Sequence, residues 1–495
     1  MACVPGHHSR KPEQIIRMNQ SYTASNRSIH AWAIGGISNY WMSAVIYSFL
    51  SMVFILSYKM DPWRVGIAMM LPRLLDIVID PVLGRLSDVL NSPWGRRRPF
   101  MFLTAILGAV LVVAVWWMPM SWAADWRGFT YLTIITTILY ANLGAYQMAH
   151  GALGYELSDD YDQRSRVQAL TAFYFSVGSL GGGYVYWLAQ QPFFGEGATG
   201  EVNGFRMLSF AMAACVLVFG LIPVFACRER FQDINRQHVN VWTALKATLS
   251  HRPFIVILVI RFINVLGTSL YGNLTAYVII FGVCYGDKEL YNQVMGGWMG
   301  IAGFVLGWGM VLTAAPITRW LGKRRGLIIC YGLTAVAAIL APFIQVPGSI
   351  YVVFGAALLF MPATIIMNNL MASVMPDICD LDELAYGERR EGLFTAVMSF
   401  MTKLESSLCI LIGGGLLTLS GFDQNLATQS PEVIDKMRLY AFIPLIAGAL
   451  LTFAAACFFS LSQRQMDVVR AQLDERHRQR LDGNSAANTS NQPVN

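Results

Sequence analysis

Long apolar runs recur along the chain, separated by short polar stretches that carry most of its Arg and Lys. A helix needs about 20 mostly apolar residues to cross the hydrocarbon core of a bilayer, so runs of that length read as membrane spans. The pattern predicts twelve, at 31–57, 63–86, 99–121, 128–153, 168–190, 205–227, 253–283, 292–318, 324–345, 348–376, 391–420 and 438–461. Several exceed the minimum length, which tilt or projecting ends accommodate. The expected fold is an all-α membrane protein.

Composition agrees with that pattern. Of 495 residues, 55% are apolar and only 13% charged, against about 25% charged in an ordinary soluble domain. The basic residues give an orientation. With both termini cytoplasmic, 25 Lys and Arg fall in inner loops and tails and 7 in outer ones, as the positive-inside bias requires. The polar start MACVPGHHSRKPEQ lacks an apolar segment with a small-residue cleavage site, so no cleaved signal peptide is expected, and Met18 is a second candidate start. The eight cysteines form no CxxC pair and mostly lie in or beside apolar spans, which predicts neither a disulfide framework nor a zinc site.

The two halves echo each other. GRLSDVLNSPWGRRRPF (84–100) follows the second span and PITRWLGKRRGLI (316–328) the eighth, each with a Gly and a basic triplet. ELSDDYDQRSR (156–166) follows the fourth span and DICDLDELAYGERREG (377–392) the tenth, each acidic and then basic. Duplicated transporter bundles show such internal repetition. The expected organisation is a tail (1–30), a six-helix bundle (31–227), a connector (228–252), a second six-helix bundle (253–461) and a tail (462–495). That last tail is expected to start as an amphipathic helix near 462–481 and to end disordered.

Ionisable groups inside a membrane span are costly and normally face a cavity or a partner. In LPRLLDIVIDPVLGRLSD (71–88), Arg73, Asp76 and Asp80 are spaced three and four apart, so they share one helical face. Asp88 continues that stripe to the cytoplasmic end. Two carboxylates on adjacent turns offer hard oxygen ligands to Na+ or share a proton. A structural Arg73–Asp ion pair is the plainer reading and is compatible with either. In FMTKLESSL, Lys403 and Glu405 stand about 200° apart around the helix, so one faces the centre and the other a neighbouring helix or the vestibule. Lys403 suits an anionic cation site or a hydroxylated or acidic substrate; an interhelical ion pair is the alternative.

Further candidates are less sharply marked. Arg261 and Asn264 share a face of the seventh span, as a substrate contact or as interhelical packing. His150 reads as a hydrogen-bonded packing histidine more readily than as a protonation switch. Tyr40, Tyr146 and Tyr174 are candidate pocket aromatics, with Tyr146 grouped beside the cation carboxylates, and Asn368 and Asn369 supply amides at cavity depth. Gly84, Asp88, Arg96, Arg97 and Arg98 form a candidate inner gate rather than a nucleic-acid patch. The glycines of 178–183 and 413–415 read as close helix packing that tolerates rocking. No GxxxxGK[ST] loop, HExxH pair or nucleophile elbow occurs, so neither ATP drive nor enzymatic chemistry is expected.

At RLLDIVIDPVLGRLSD…WGRRRPF, YELSDDYDQRSRV and DICDLDELAYGERREGLFTAVMSFMTKL, the chain resembles the glycoside–pentoside–hexuronide:cation symporters of the major facilitator superfamily. The resemblance spans roughly 31–461 and implies Na+- or H+-coupled sugar uptake by alternating access, with no cofactor. It implies that Asp76 and Asp80 hold the cation and that Lys403 lies beside them. The melibiose-permease branch has an amide just before the second carboxylate, where this chain has Ile79, which leaves Na+ and H+ both open. That branch's sugar-site positions correspond to Tyr40, Ala149, Leu153 and Tyr174, so a galactoside pocket is not expected. The expectation is a monomeric inner-membrane symporter of a sugar, glycoside or uronide. A cation-coupled lipid, lysolipid or other organic solute transporter, or a non-transporting sensor on the same fold, is the alternative.

Overall fold

The computed structural model describes residues 25–89, 92–156, 161–227, 252–306, 322–386, 391–458 and helical positions between 465 and 479. The tail up to residue 24, nearly all of the 228–252 connector, residues 387–390 and the end beyond 479 lie outside the described residues.

Helices account for almost everything described. In chain order they are α1 (Asn26–Leu56), α2 (Pro62–Val89), α3 (Arg98–Trp117), α4 (Trp126–Glu156), α5 (Tyr161–Ala189) and α6 (Gly197–Ala226). The second set begins with α7 (Arg252–Tyr277), which continues through a π-helical end, Val278–Val283. Next comes α8, which runs from Lys288–Tyr291 through a π-helical stretch, Asn292–Trp298, to residue 306. Then follow α9 (Lys323–Ile344), α10 (Ile350–Tyr386), α11 (Glu391–Leu419) and α12 (Pro431–Phe458).

Among the described residues, nine of these helices are long and apolar enough to cross a membrane. The remaining three are α2, α5 and α8, and each has a local cause. Arg64, Arg73, Asp76 and Asp80 interrupt α2, Gly, Ser and Tyr dilute α5, and α8 is described only as far as 306. Leu103, Val110, Phe210, Val259, Phe343, Leu359 and Leu451 lie open on the helix exteriors. Apolar exteriors on long helices are how a polytopic membrane protein meets lipid tails.

Packing repeats between the halves. α1 lies against α5 and α6, and α3 against α4 and α6; likewise α7 lies against α11 and α12, and α9 against α10 and α12. The halves meet along two seams related by the same repeat, α2 against α11 and α5 against α8. Glycines let the backbones approach at both. A Cβ on Gly183 would stand 2.3 Å from the Gly296 carbonyl oxygen, and one on Gly414 would stand 2.7 Å from that of Pro62. These crossings lie toward one face, the expected outer one. There Lys288 pairs with Glu201 at 3.7 Å, Asn292 Nδ2 donates to Gln190 Oε1 at 3.0 Å, and Lys59 Nζ donates to the Gln424 carbonyl. Each of these bonds joins one half to the other.

At the opposite face the C-terminal segment takes up helical positions, as its amphipathic pattern predicts. Met466, Val469 and Leu473 bury against Leu381 and Leu384 of α10, and Arg476 Nη1 donates to the Leu384 carbonyl at 2.7 Å.

Candidate functional site

The charged stripe of α2 meets α11 midway through the molecule. Asp76 is only 3% exposed. Its Oδ2 lies 3.2 Å from Arg73 Nη1 on its own helix and 3.2 Å from Lys403 Nζ on the other half. Lys403 Nζ also donates to the Asp76 carbonyl at 3.2 Å, and Arg73 Nε donates to Ser406 Oγ at 3.1 Å. The Arg73 guanidinium lies 5.7 Å from the centre of the Tyr47 ring and 5.6 Å from that of Tyr140. Each such contact supplies about 0.5–2 kcal/mol, most when desolvated. One carboxylate thus ties two cations, one from each half, and the α2–α11 seam is cross-linked by charge.

A cavity of about 340 Å³ opens beside this cluster. Arg73, Asp76 and Lys403 line it with Tyr47, Tyr140 and Gln147, and Ser399 and Thr402 close it from α11. Tyr140, Gly144 and Gln147 recur at helical spacing on one face of α4, whereas Tyr47 sits in a π-helical turn of α1, Val45–Phe49. Single π turns are frequent where a side chain has to be re-aimed toward a site. A second cavity, of about 460 Å³, lies along the α5–α8 seam. Tyr40, Ser48, Ser176, Ser179, Tyr186 and Asn292 give it hydroxyls and an amide, and no Asp, Glu, Lys, Arg or His lines it among the described residues.

The sequence candidates separate accordingly. Arg73, Asp76 and Lys403 come together. The α2 backbone carries Asp80, Gly84 and Asp88 onward toward the expected inner face, but the side chains of Asp80 and Asp88 lie outside the described residues. Tyr40 lines the second cavity, against Gly178 and Gly182 of α5. Tyr146 is not beside Asp76: its ring stacks on His150, and its hydroxyl donates to the Gly220 carbonyl at 3.4 Å. Four residues on from Asn142, whose Nδ2 donates to the Thr104 carbonyl of α3, it falls on the face of α4 that packs inside its own half. Ala149 and Leu153 fall on that face too and are fully buried in the core of the N-terminal half, away from either cavity. Tyr174 sits near the middle of α5, turned toward α1, its hydroxyl 3.2 Å from His30 Nδ1.

His150 is a packing residue. It stacks on Trp32 at 4.6 Å and shares hydrogen bonds with that residue in both directions, tying α4 to α1. Arg261 Nη2 donates to Thr402 Oγ1 at 3.3 Å, so it borders the α11 wall of the first cavity without lining it. Asn368 is exposed, and the side chain of Asn369 lies outside the described residues. Arg97 is buried at the foot of α3 and Arg98 Nε donates to the Val224 carbonyl, which fastens the basic turn that holds Arg96 to α6. Tyr47, Tyr140, Gln147, Ser399 and Thr402 were not singled out by sequence. Only the α4 spacing of 140, 144 and 147 would have marked any of them.

Comparison with known proteins then decides the family. A family profile described as "MFS/sugar transport protein" matches residues 31–463. The chain belongs to that family. Its relatives are symporters of the glycoside–pentoside–hexuronide type. An isoprimeverose transporter from Lactiplantibacillus pentosus is 25% identical over 427 residues, covering 84% of each chain. A glucuronide carrier protein homolog from Escherichia coli K12 is 23% identical and covers 93% of this chain and 97% of its own. The fold matches solved transporter structures. A bacterial homolog of the human lysosomal transporter Spinster, in an inward-facing and unoccupied conformation, superposes with TM-score 0.63 at 12% identity, covering 90% and 97% of the two chains. The nucleoside transporter NupG gives 0.59 at 13% identity, over 88% and 100%. The protein is therefore a multi-pass integral membrane protein and a secondary active transporter related to sugar, glycoside and uronide symporters, not an enzyme. Among the described residues no cluster of His, Cys, Asp and Glu could hold a resident metal ion.

Proposed function

We propose that this family member couples the entry of Na+ or H+ to that of a sugar, glycoside or uronide by alternating access. It works as a monomer, with twelve spans and both termini on the cytoplasmic side of a bacterial inner membrane. The single observation that carries the reading is Asp76. A buried carboxylate between the halves, held by Arg73 from one and Lys403 from the other, sits where a small cation can compete for it. With no cation bound, Lys403 Nζ occupies Asp76 Oδ2 and the α2–α11 seam is locked. When Na+ or H+ takes up the charge of Asp76, with Asp80 as the second carboxylate, Lys403 and Arg73 are freed to face substrate hydroxyls or a carboxylate in the adjoining cavity. Tyr47, Tyr140 and Gln147 complete that cavity, and Tyr40 belongs to the second one.

A ligand shifts such an equilibrium only through different affinities for its two states. Cation and substrate that favour the same state strengthen each other reciprocally. Gly66–Gly414, Gly183–Gly296 and the Lys288–Glu201 pair close the seams toward the expected outer face, which supports reading this conformation as inward-facing. The basic turn at Arg96, Arg97 and Arg98, with Gly84 and Asp88, is then the inner gate that closes in the opposite state.

Binding calorimetry on purified protein tests the reading. Isoprimeverose, a glucuronide, other mono- and disaccharides and a lysolipid are titrated with Na+, without it, and at two pH values. Saccharide or uronide binding that Na+ or acid tightens is the expected result and names the ion. Binding of lysolipid alone would leave the fold in place and remove the sugar assignment.

A further inference from the structure

Glu405 stands about 200° around α11 from Lys403, and so faces away from the cation cluster into the C-terminal half. It is fully buried at 0% exposure, and among the described residues neither carboxylate oxygen has a hydrogen-bond partner. α7 packs against that face of α11. It brings Arg261, whose Nε is buried without a partner, and one turn on Asn264, whose Nδ2 is likewise without one. Two orphaned acceptors and two orphaned donors therefore occupy one buried patch and do not bond to each other. Arg261 spends its Nη2 on Thr402 Oγ1 instead. The other titratable groups around the patch are Cys409, one turn along α11 and bonded to the Leu266 carbonyl, and Tyr331 on α9, which faces Arg261. The α2 charges Arg73 and Asp76 lie on the far side of α11, at the cavity.

An ionised carboxylate buried with no donor costs several kcal/mol. A guanidinium does not give up its proton in a protein. The pair has two economical arrangements: Glu405 carrying a proton while Arg261 bonds elsewhere, or Glu405 ionised and bonded directly to Arg261. The geometry points to the first in this conformation, and we propose that Glu405 is a second proton-binding site, inside the C-terminal half and distinct from the Asp76 cluster. When α7 and α11 shift so that Arg261 Nε–H reaches Glu405 Oε, the carboxyl O–H bond breaks and the proton leaves through Thr402, whose side chain borders both Arg261 and the 340 Å³ cavity. Return of Arg261 to Thr402 restores the site for the next proton. If the Asp76 reading above holds as well, each transport cycle then carries one proton besides the Asp76 cation.

Infrared difference spectroscopy on the detergent-purified, substrate-free protein tests this directly. The wild type at neutral pH should show a carboxylic C=O band that shifts in D2O, is lost in Glu405→Gln and is retained in Asp76→Asn. Glu405→Gln, the neutral isostere, should melt within a few degrees of the wild type. Should that variant not purify, Glu405→Asp should move the same band rather than abolish it. A wild-type spectrum from which Glu405→Gln removes no carboxylic band, or a Glu405→Asp spectrum with the band unmoved, would overturn the proposal. Because no substrate or gradient is used, a failure here leaves the symport reading standing, and a failure of that reading leaves this one intact.

Discussion

At the seam between α2 and α11, Gly66 and Gly414 cross, and about 10–17 Å deeper along the helices lie Arg73, Asp76 and Lys403. At the seam between α5 and α8, Gly183 and Gly296 cross in the same way, and the cavity beside them is lined by Tyr40, Ser48, Ser176, Ser179 and Asn292. The backbone plan is one plan used twice, as the repeat requires. The cavity chemistry is not repeated: Arg73, Asp76 and Lys403 line the cavity at one seam, and hydroxyls and an amide line the cavity at the other. On the proposed reading, a cation that takes up the charge of Asp76 changes the strength of the first seam and leaves the second as it was. If Asp76 couples ion to solute as proposed, coupling is an asymmetric graft on a symmetric hinge.

The largest break should come from filling a glycine crossing. A side chain at Gly183 must displace the Gly296 backbone, from which its Cβ would be 2.3 Å away. Overpacking costs about 1–3 kcal/mol. Gly183→Leu should hold the seam apart, lower transport by roughly tenfold or more, and expose a cysteine placed at Ser48 to impermeant thiol reagents from outside. Unchanged labelling at position 48 would mean that this crossing is not the seal.

The charged seam should be next. Because Arg73 stays on the buried carboxylate, Lys403→Ala should cost about 1–3 kcal/mol, less than the ~3–5 kcal/mol of a buried charge left with no partner, read as a lowered melting temperature in detergent. Adding Asp76→Asn should restore most of that loss, since the carboxylate left undercompensated is then gone. Two losses that simply add would show that the pair is not coupled. The neutral seam should respond less. Asn292→Ala removes a bond to Gln190 and should cost about 1 kcal/mol, insensitive to Na+.

The smallest effect concerns pH at the outer face. Lys59, in the linker between α1 and α2, has its ammonium pushed below the ordinary lysine range by burial and by the neighbouring Lys288. A base with a depressed value binds its proton less readily in this closed state than in an open, solvated one. Closure is therefore penalised at neutral pH, and the penalty fades as pH rises through the depressed value toward the ordinary one. Lys59→Met should flatten that alkaline rise in closure, followed by cross-linking across the seam, and leave the neutral-pH transport rate nearly unchanged.

Much of this was legible in the chain because ionisable groups stand out against apolar runs. Arg73, Asp76 and Lys403 are conspicuous in that way, and the helix spacing of 73 and 76 fixed their common face. The opposite directions of Lys403 and Glu405 also followed from a two-residue offset. Tyr47, Tyr140, Ser399 and Thr402 were not visible, since tyrosines and hydroxyls are frequent in every span and only tertiary packing selects among them. Tyr146, Ala149 and Leu153 were nominated partly through family resemblance, and the rotation of α4 turns them into the packing of its own half. The spans themselves were clear wherever the run was apolar. α6 begins at Gly197 rather than near 205, because a polar first turn, with Glu201 facing Lys288 across the halves, is invisible to hydropathy.

The central claim is that the charge on Asp76 couples the ion to the solute. Its most direct test is accumulation by proteoliposomes of whichever saccharide or uronide binds in calorimetry, under an imposed Na+ or pH gradient, with wild type and Asp76→Asn side by side. The account predicts that the wild type concentrates solute when one of the two gradients is applied. Asp76→Asn should only equilibrate solute, with exchange across the membrane intact. Accumulation by Asp76→Asn against its gradient, driven by the same ion, would contradict it.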